Sequence, residues 1–119
     1  MADSEPLHIE PEIADYIFQY CTQYRTENES KAFTYYVFTE KSKDSPRMKA
    51  FYSSKGLLSP DPEVKALLAD GFTAYKHRMI KRIYHEYGLE IAFNRCPKCD
   101  KVARTPQARQ CRFCGHDWH

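Results

Sequence analysis

Cys96-Pro97-Lys98-Cys99, eleven further residues, then Cys111-Arg112-Phe113-Cys114-Gly115: two C-x-x-C pairs lie within nineteen residues of one another. Two residues between thiolates let both sulfurs point into one turn and leave backbone N–H groups free to donate to them. Those donors matter, because four thiolates around one divalent ion leave net negative charge. Pro97 restricts its turn. Gly115, directly after the second pair, permits a positive φ where a side chain would clash. Asp100 holds the equivalent place after the first pair and tolerates that conformation better than most residues do. Four thiolates fill a tetrahedral zinc and leave no position for water or substrate, so the expected site is closed and structural. Its ligands are Cys96, Cys99, Cys111 and Cys114. Iron in a similar cage is an alternative, since softness and geometry suit it too. Two disulfides, a redox Cys-Pro-Lys-Cys pair, and His116 or His119 in place of a cysteine are the others. The redox reading is the weakest on pattern, because such pairs open a helix after a strand in an α/β fold.

Working outward, Leu89, Ile91 and Phe93 alternate with Glu90, Ala92 and Asn94, which predicts a short strand over 89–95 running into the first pair. Residues 93–119 resemble a zinc ribbon, a small module in which two knuckles on β-turns clamp one structural zinc. The resemblance implies a small β ribbon, with residues 101–110 as the hairpin or loop connecting the two pairs, and four ligands, Cys96, Cys99, Cys111 and Cys114. Zinc ribbons occur in transcription and translation factors, ribosomal proteins and nucleic-acid enzymes, so the module implies metal-held structure rather than one function. Residues 1–92 resemble no family.

Those first 92 residues read as a helical body of about four helices, so the fold class is mainly α with a small C-terminal β zinc ribbon. Residues 1–8 read as frayed. Pro11 suits a first helical turn, and Ile13, Ile17, Tyr20 and Tyr24 follow on one face, which predicts a helix over about 11–26. The polar residues 26–30 end it. Ala32 to Phe38 is rich in strand formers, yet Phe33, Tyr36 and Val37 fit a helical stripe, and helix is the reading preferred. Residues 41–44 read as a loop. Ser45-Pro46 starts the next helix, with Met48, Phe51 and Tyr52 as its apolar side and Gly56 as its stop. Another begins at 59–63. Asp70-Gly71 breaks or weakens it. Phe72, Tyr75, Met79, Ile80, Ile83, Tyr84 and Tyr87 then make a long amphipathic stripe that stops at Gly88.

The 119 residues suit one core, and the domain limits expected are 1–92 and 93–119. No apolar run is long enough for a membrane helix, and the start shows no basic-then-apolar leader. Five cysteines without such a leader point to metal or free thiol, and to a cytoplasmic protein. The net charge of +2 is unevenly spread. Residues 76–112 hold ten Lys/Arg against three Asp/Glu. A field of that sign can attract a phosphate backbone or an acidic partner. Lys81, Arg82, Arg104, Arg109 and Arg112 are therefore the candidate nucleic-acid contacts, on a non-enzymatic binding module. A protein–protein adaptor docking on a larger assembly is the alternative. Oligomeric state is left open.

Catalytic signatures are missing from the sequence. His85-Glu86 begins like a metalloprotease box, but Leu89 stands where the second histidine would be. G-x-S-x-G, Walker and dinucleotide-binding patterns do not occur. Cys21 reads as a small buried hydrophobe. The nine tyrosines and seven phenylalanines read as core at helical spacing, with Tyr35, Tyr84 and Tyr87 as possible stacking surfaces.

Overall fold

The computed structural model describes residues 9–119, so the frayed reading of residues 1–8 and the leader reading lie outside the described residues. Among the described residues five α-helices follow in order: α1 (Pro11–Tyr20), α2 (Glu27–Ser42), α3 (Pro46–Ser54), α4 (Pro62–Ala66) and α5 (Phe72–Tyr87). None of them is long and apolar enough to cross a membrane. The chain packs as two compact units. One is residues 25–79; the other combines residues 9–24 with 80–119, the cut falling inside α5.

The 25–79 unit is built on α2, against which α3 and α4 pack. Its start explains why the first predicted helix is too long. Thr26 takes an extended backbone conformation, with φ −72° and ψ 163°. Its Oγ1 accepts from the Glu29 amide at 3.1 Å, and Glu29 Oε1 accepts from the Thr26 amide at 2.8 Å. This reciprocal capping box satisfies two amides that a helix start leaves without partners. Residues 26–30 therefore open α2 as well as closing what precedes it. α1 stops at Tyr20, and Thr22–Tyr24 forms a single 3₁₀ turn.

The strand-forming run Ala32–Phe38 is helical, as its apolar spacing predicts, and α2 continues through Lys41 and Ser42, where a loop was expected. Ala32 is fully buried on it. Tyr36 stacks on Phe72 with ring centroids 4.1 Å apart, and Phe38 meets Tyr52 edge-on at 4.6 Å. Tyr75 donates its hydroxyl to the Glu29 carbonyl at 2.6 Å, tying the start of α2 to α5. Ser45 caps α3 as predicted, its Oγ accepting from the Met48 amide at 3.2 Å. The apolar side predicted for α3 is only partly inward: Met48 and Phe51 are exposed. At Gly71 the chain turns from the segment after α4 into α5 with φ +95°, a conformation that a side chain would strain. Arg78 locks that corner, donating to the Leu67 carbonyl at 2.7 Å and pairing with Asp70 at 3.2 Å.

In the other unit, Ala14, Tyr16 and Ile17 of α1 and Ile80 and Ile83 of α5 are buried, as are Cys21, Val102 and Ala103. Tyr24 stacks on Tyr87 at 4.5 Å, and Tyr16 meets Phe93 at 5.2 Å. Arg82 donates to the Tyr24 carbonyl at 2.8 Å and to Glu86 at 3.0 Å. α5 ends where predicted: a Cβ on Gly88 would sit 2.4 Å from the Tyr84 carbonyl oxygen.

The predicted strand over 89–95 does not form, and neither does a β ribbon. Among the described residues there is no sheet, only the isolated antiparallel bridges Arg95↔Val102 and Gln110↔Asp117. The physical reason is local. The Glu90 and Ile91 amides both bond the Tyr87 carbonyl, and the Phe93 amide bonds Ile91. These three amides close turns and so are not free to build a ladder. The alternating pattern instead leaves Leu89 fully exposed and Phe93 turned inward.

Candidate metal centre

Each C-x-x-C pair sits at the tip of a tight reversal, and the two reversals follow the same plan fifteen residues apart. In the first, the Cys96 amide bonds the Lys101 carbonyl at 2.9 Å and the Asp100 amide bonds the Cys96 carbonyl at 2.8 Å. In the second, the Cys111 amide bonds the His116 carbonyl at 2.8 Å and the Gly115 amide bonds the Cys111 carbonyl at 3.1 Å. One step out, Ala103 bonds Asn94 and Trp118 bonds Arg109 in the same register. Asp100 and Gly115 both adopt positive φ, +65° and +79°. That is the equivalence predicted from their places after the pairs. The Asn94 side-chain amide ties the connecting loop, donating to the Thr105 and Ala108 carbonyls at 2.9 and 2.8 Å.

This plan brings four sulfurs together. Cys96, Cys99, Cys111 and Cys114 have Sγ atoms that all lie within 4.8 Å of one another. Cys96 and Cys114 are 3.7 Å apart, Cys99 and Cys111 3.5 Å. A disulfide needs about 2.05 Å. A tetrahedral ion with metal–sulfur bonds of about 2.3 Å holds its sulfurs about 3.8 Å apart. The observed spacing suits an ion and not a bond. Both of these contacts join different knuckles, so the arrangement is one cage rather than two separate dithiols.

Backbone donors converge on the first sulfur of each pair. The Lys98 and Cys99 amides point at Cys96 Sγ, each at 3.4 Å. The Phe113 and Cys114 amides point at Cys111 Sγ at 3.3 and 3.4 Å. Burial pushes the Cys96 thiol up, but the Cys99 and Lys98 amides together with the Cys114 and Cys99 side chains make the net shift downward. At Cys111 the Cys114 and Phe113 amides draw the thiol down to about 6. At Cys99 the Lys101 amide pulls downward, yet desolvation and proton sharing with Cys111, Cys114 and Cys96 push the thiol up to about 12. An incoming cation would displace protons on binding. The four cysteines can hold a metal ion. Neither histidine belongs to the cluster: His116 stacks with Trp118, and His119 pairs with Asp117.

No family model, curated protein or solved structure matches this chain. The site's own geometry is therefore what speaks for its function.

The cationic candidates divide. Arg104, Arg109 and Arg112 line one cleft of about 470 Å³ with His119, Thr105, Ala108, Gln110 and Cys111. No carboxylate side chain is among its walls. Lys81 and Arg82 are not among its walls, and Arg82 is engaged with Tyr24 and Glu86 as described. Of the candidate stacking rings, Tyr87 faces Tyr24. Tyr84 is partly exposed, and Tyr35 is half-buried. Sequence reasoning passed over Phe113, an exposed ring with Lys101 Nζ 4.8 Å and Arg112 Cζ 5.1 Å from its centroid. The signal was present in Cys111-Arg112-Phe113-Cys114, an aromatic between two ligands beside a cation. Cys21 is buried, and burial pushes its thiol up, away from the thiolate a nucleophile needs.

Proposed function

We propose that this protein is a non-enzymatic zinc protein whose residues 93–119 act as a zinc-ribbon-like module that binds nucleic acid. Zinc is the ion that suits a closed four-thiolate cage with tetrahedral spacing, and it fills the cage without an open position for chemistry. The observation that carries the binding reading is the cleft walled by Arg104, Arg109 and Arg112, with no Asp or Glu among its lining residues. Arginine forks match phosphate oxygens, and a concave wall with one sign of charge concentrates its field. The cage sits directly beneath, since Cys111 is itself part of the cleft wall. Metal binding would thereby hold the arginines in place.

The test is fluorescence anisotropy with labelled nucleic acid across a salt series. Wild type binds, and its affinity falls as salt rises, with a log–log slope of about −2 to −3 for three phosphate contacts. Replacing Arg104, Arg109 and Arg112 together by Gln removes most of the binding while leaving the metal content unchanged. Absence of binding at low salt overturns the reading.

A second reading, a protein–protein adaptor, is favoured by Leu89. This leucine is fully exposed and lines a cleft of about 700 Å³ with Tyr84, Ile91 and Phe93.

A further inference from the structure

We infer that Phe113 is a stacking platform for an unpaired base, so that the nucleic acid taken by this module is single-stranded. The inference rests on the nucleic-acid reading above and narrows it to one class of ligand.

Phe113 stands at the tip of the second knuckle with 45% of its surface exposed. Its counterpart in the first knuckle, fifteen residues earlier, is the exposed Lys98. The fold therefore does not require an apolar residue at this place. The ring is nevertheless held firmly at its root. The Phe113 amide donates to Cys111 Sγ at 3.3 Å, and the next amide, of Cys114, donates to the same sulfur. The metal cage thus sets the direction in which the ring is presented.

Two cations attend the ring, and they come from different knuckles. Lys101 follows the first pair, and its Nζ is 4.8 Å from the centroid. Arg112 lies inside the second pair, with its Cζ at 5.1 Å. An exposed ring interleaved with Lys and Arg is the composition of a surface that stacks bases and tracks a backbone. Cation–ring contacts at exposed sites are weak, whereas a base on an aromatic face is held more strongly. A base can therefore take the ring while the flexible Lys101 and Arg112 move to the flanking phosphates. Arg112 also lines the cleft of Arg104 and Arg109. One side chain thus joins the stacking surface to the phosphate-binding wall, as neighbouring parts of one strand require. A duplex keeps its base faces stacked on one another, so only an unpaired base offers a face to Phe113.

The test uses the full metal-loaded chain and two probes: a labelled single strand of about 12 nucleotides and its duplex. Anisotropy titrations compare wild type with Phe113→Leu and Phe113→Trp, after metal content has been shown equal in all three. The expected result is tighter binding of the single strand than of the duplex. Phe113→Leu weakens the single strand about tenfold and leaves the duplex unchanged, while Phe113→Trp binds at least as well as wild type. Phe113→Leu binding the single strand as wild type does overturns the inference. Equal weakening of single strand and duplex also overturns it, since the ring is then a general apolar contact. In both cases the arginine-dependent binding still stands. Failure of wild type to bind either probe overturns the nucleic-acid reading itself, and this inference with it.

Discussion

Asp100 and Gly115 occupy the same place in the two knuckles, and the same left-handed conformation is asked of a side chain in one and of no side chain in the other. A Cβ on Gly115 would meet nothing within 4 Å, so any penalty there is purely one of backbone conformation. Gly115→Ala should cost about 1–2 kcal/mol, and Asp100→Gly should be neutral or stabilising, as read from urea midpoints of the metal-loaded protein. Tyr75 allows a second test. Desolvation pushes its phenol up to about 12. A group whose pKa rises on folding stabilises fully below its unfolded value, near 10, and loses that stabilisation as pH climbs through the folded one. Stability should therefore fall between about pH 10 and 12. Tyr75→Phe should flatten part of that fall while costing about 1 kcal/mol at neutral pH through the lost bond to Glu29. At this scale the sequence was most legible where the signal is local. Cysteine spacing, Gly115 and the Ser45 cap are properties of a few adjacent residues. Phe113 and the grouping of Arg104, Arg109 and Arg112 were not legible as a surface. Whether separated side chains share one cleft depends on the two knuckles folding back on each other.

Helix boundaries were readable where a cap could be matched to a pattern, and misread where two patterns overlapped. The stripe Ile13, Ile17, Tyr20 and Tyr24 keeps helical spacing through residue 24, so apolar periodicity alone runs the first helix too far. Thr26 and Glu29 were the available correction, because Thr-x-x-Glu before an apolar run is a capping-box signature. Thr26→Ala should lower stability by about 1 kcal/mol, measured by urea unfolding followed by far-ultraviolet circular dichroism. The strand predicted over 89–95 failed for the opposite reason. Alternation describes which way side chains can point, but a strand also needs a neighbour for its amides. Here Glu90, Ile91 and Phe93 bond within their own turn. The knuckles reach their geometry with two isolated bridges in place of a ribbon sheet.

For the molecule as a whole, the helices precede the four cysteines along the chain. Among the described residues the α-helices all end by Tyr87, ahead of Cys96. Stripping the metal should therefore leave most of the helical circular dichroism signal while exposing residues 93–119 to proteolysis. A short segment whose buried side chains are few, chiefly Val102, Ala103 and the cysteines Cys96 and Cys111, has little apolar core of its own to hold it. The four clustered cysteines can close into one metal cage. Elemental analysis of the purified native protein, with thiol titration before and after chelation, tests it most directly. One zinc per chain with four thiols released on chelation is the result predicted. A protein without metal, its cysteines paired as disulfides, would contradict the account.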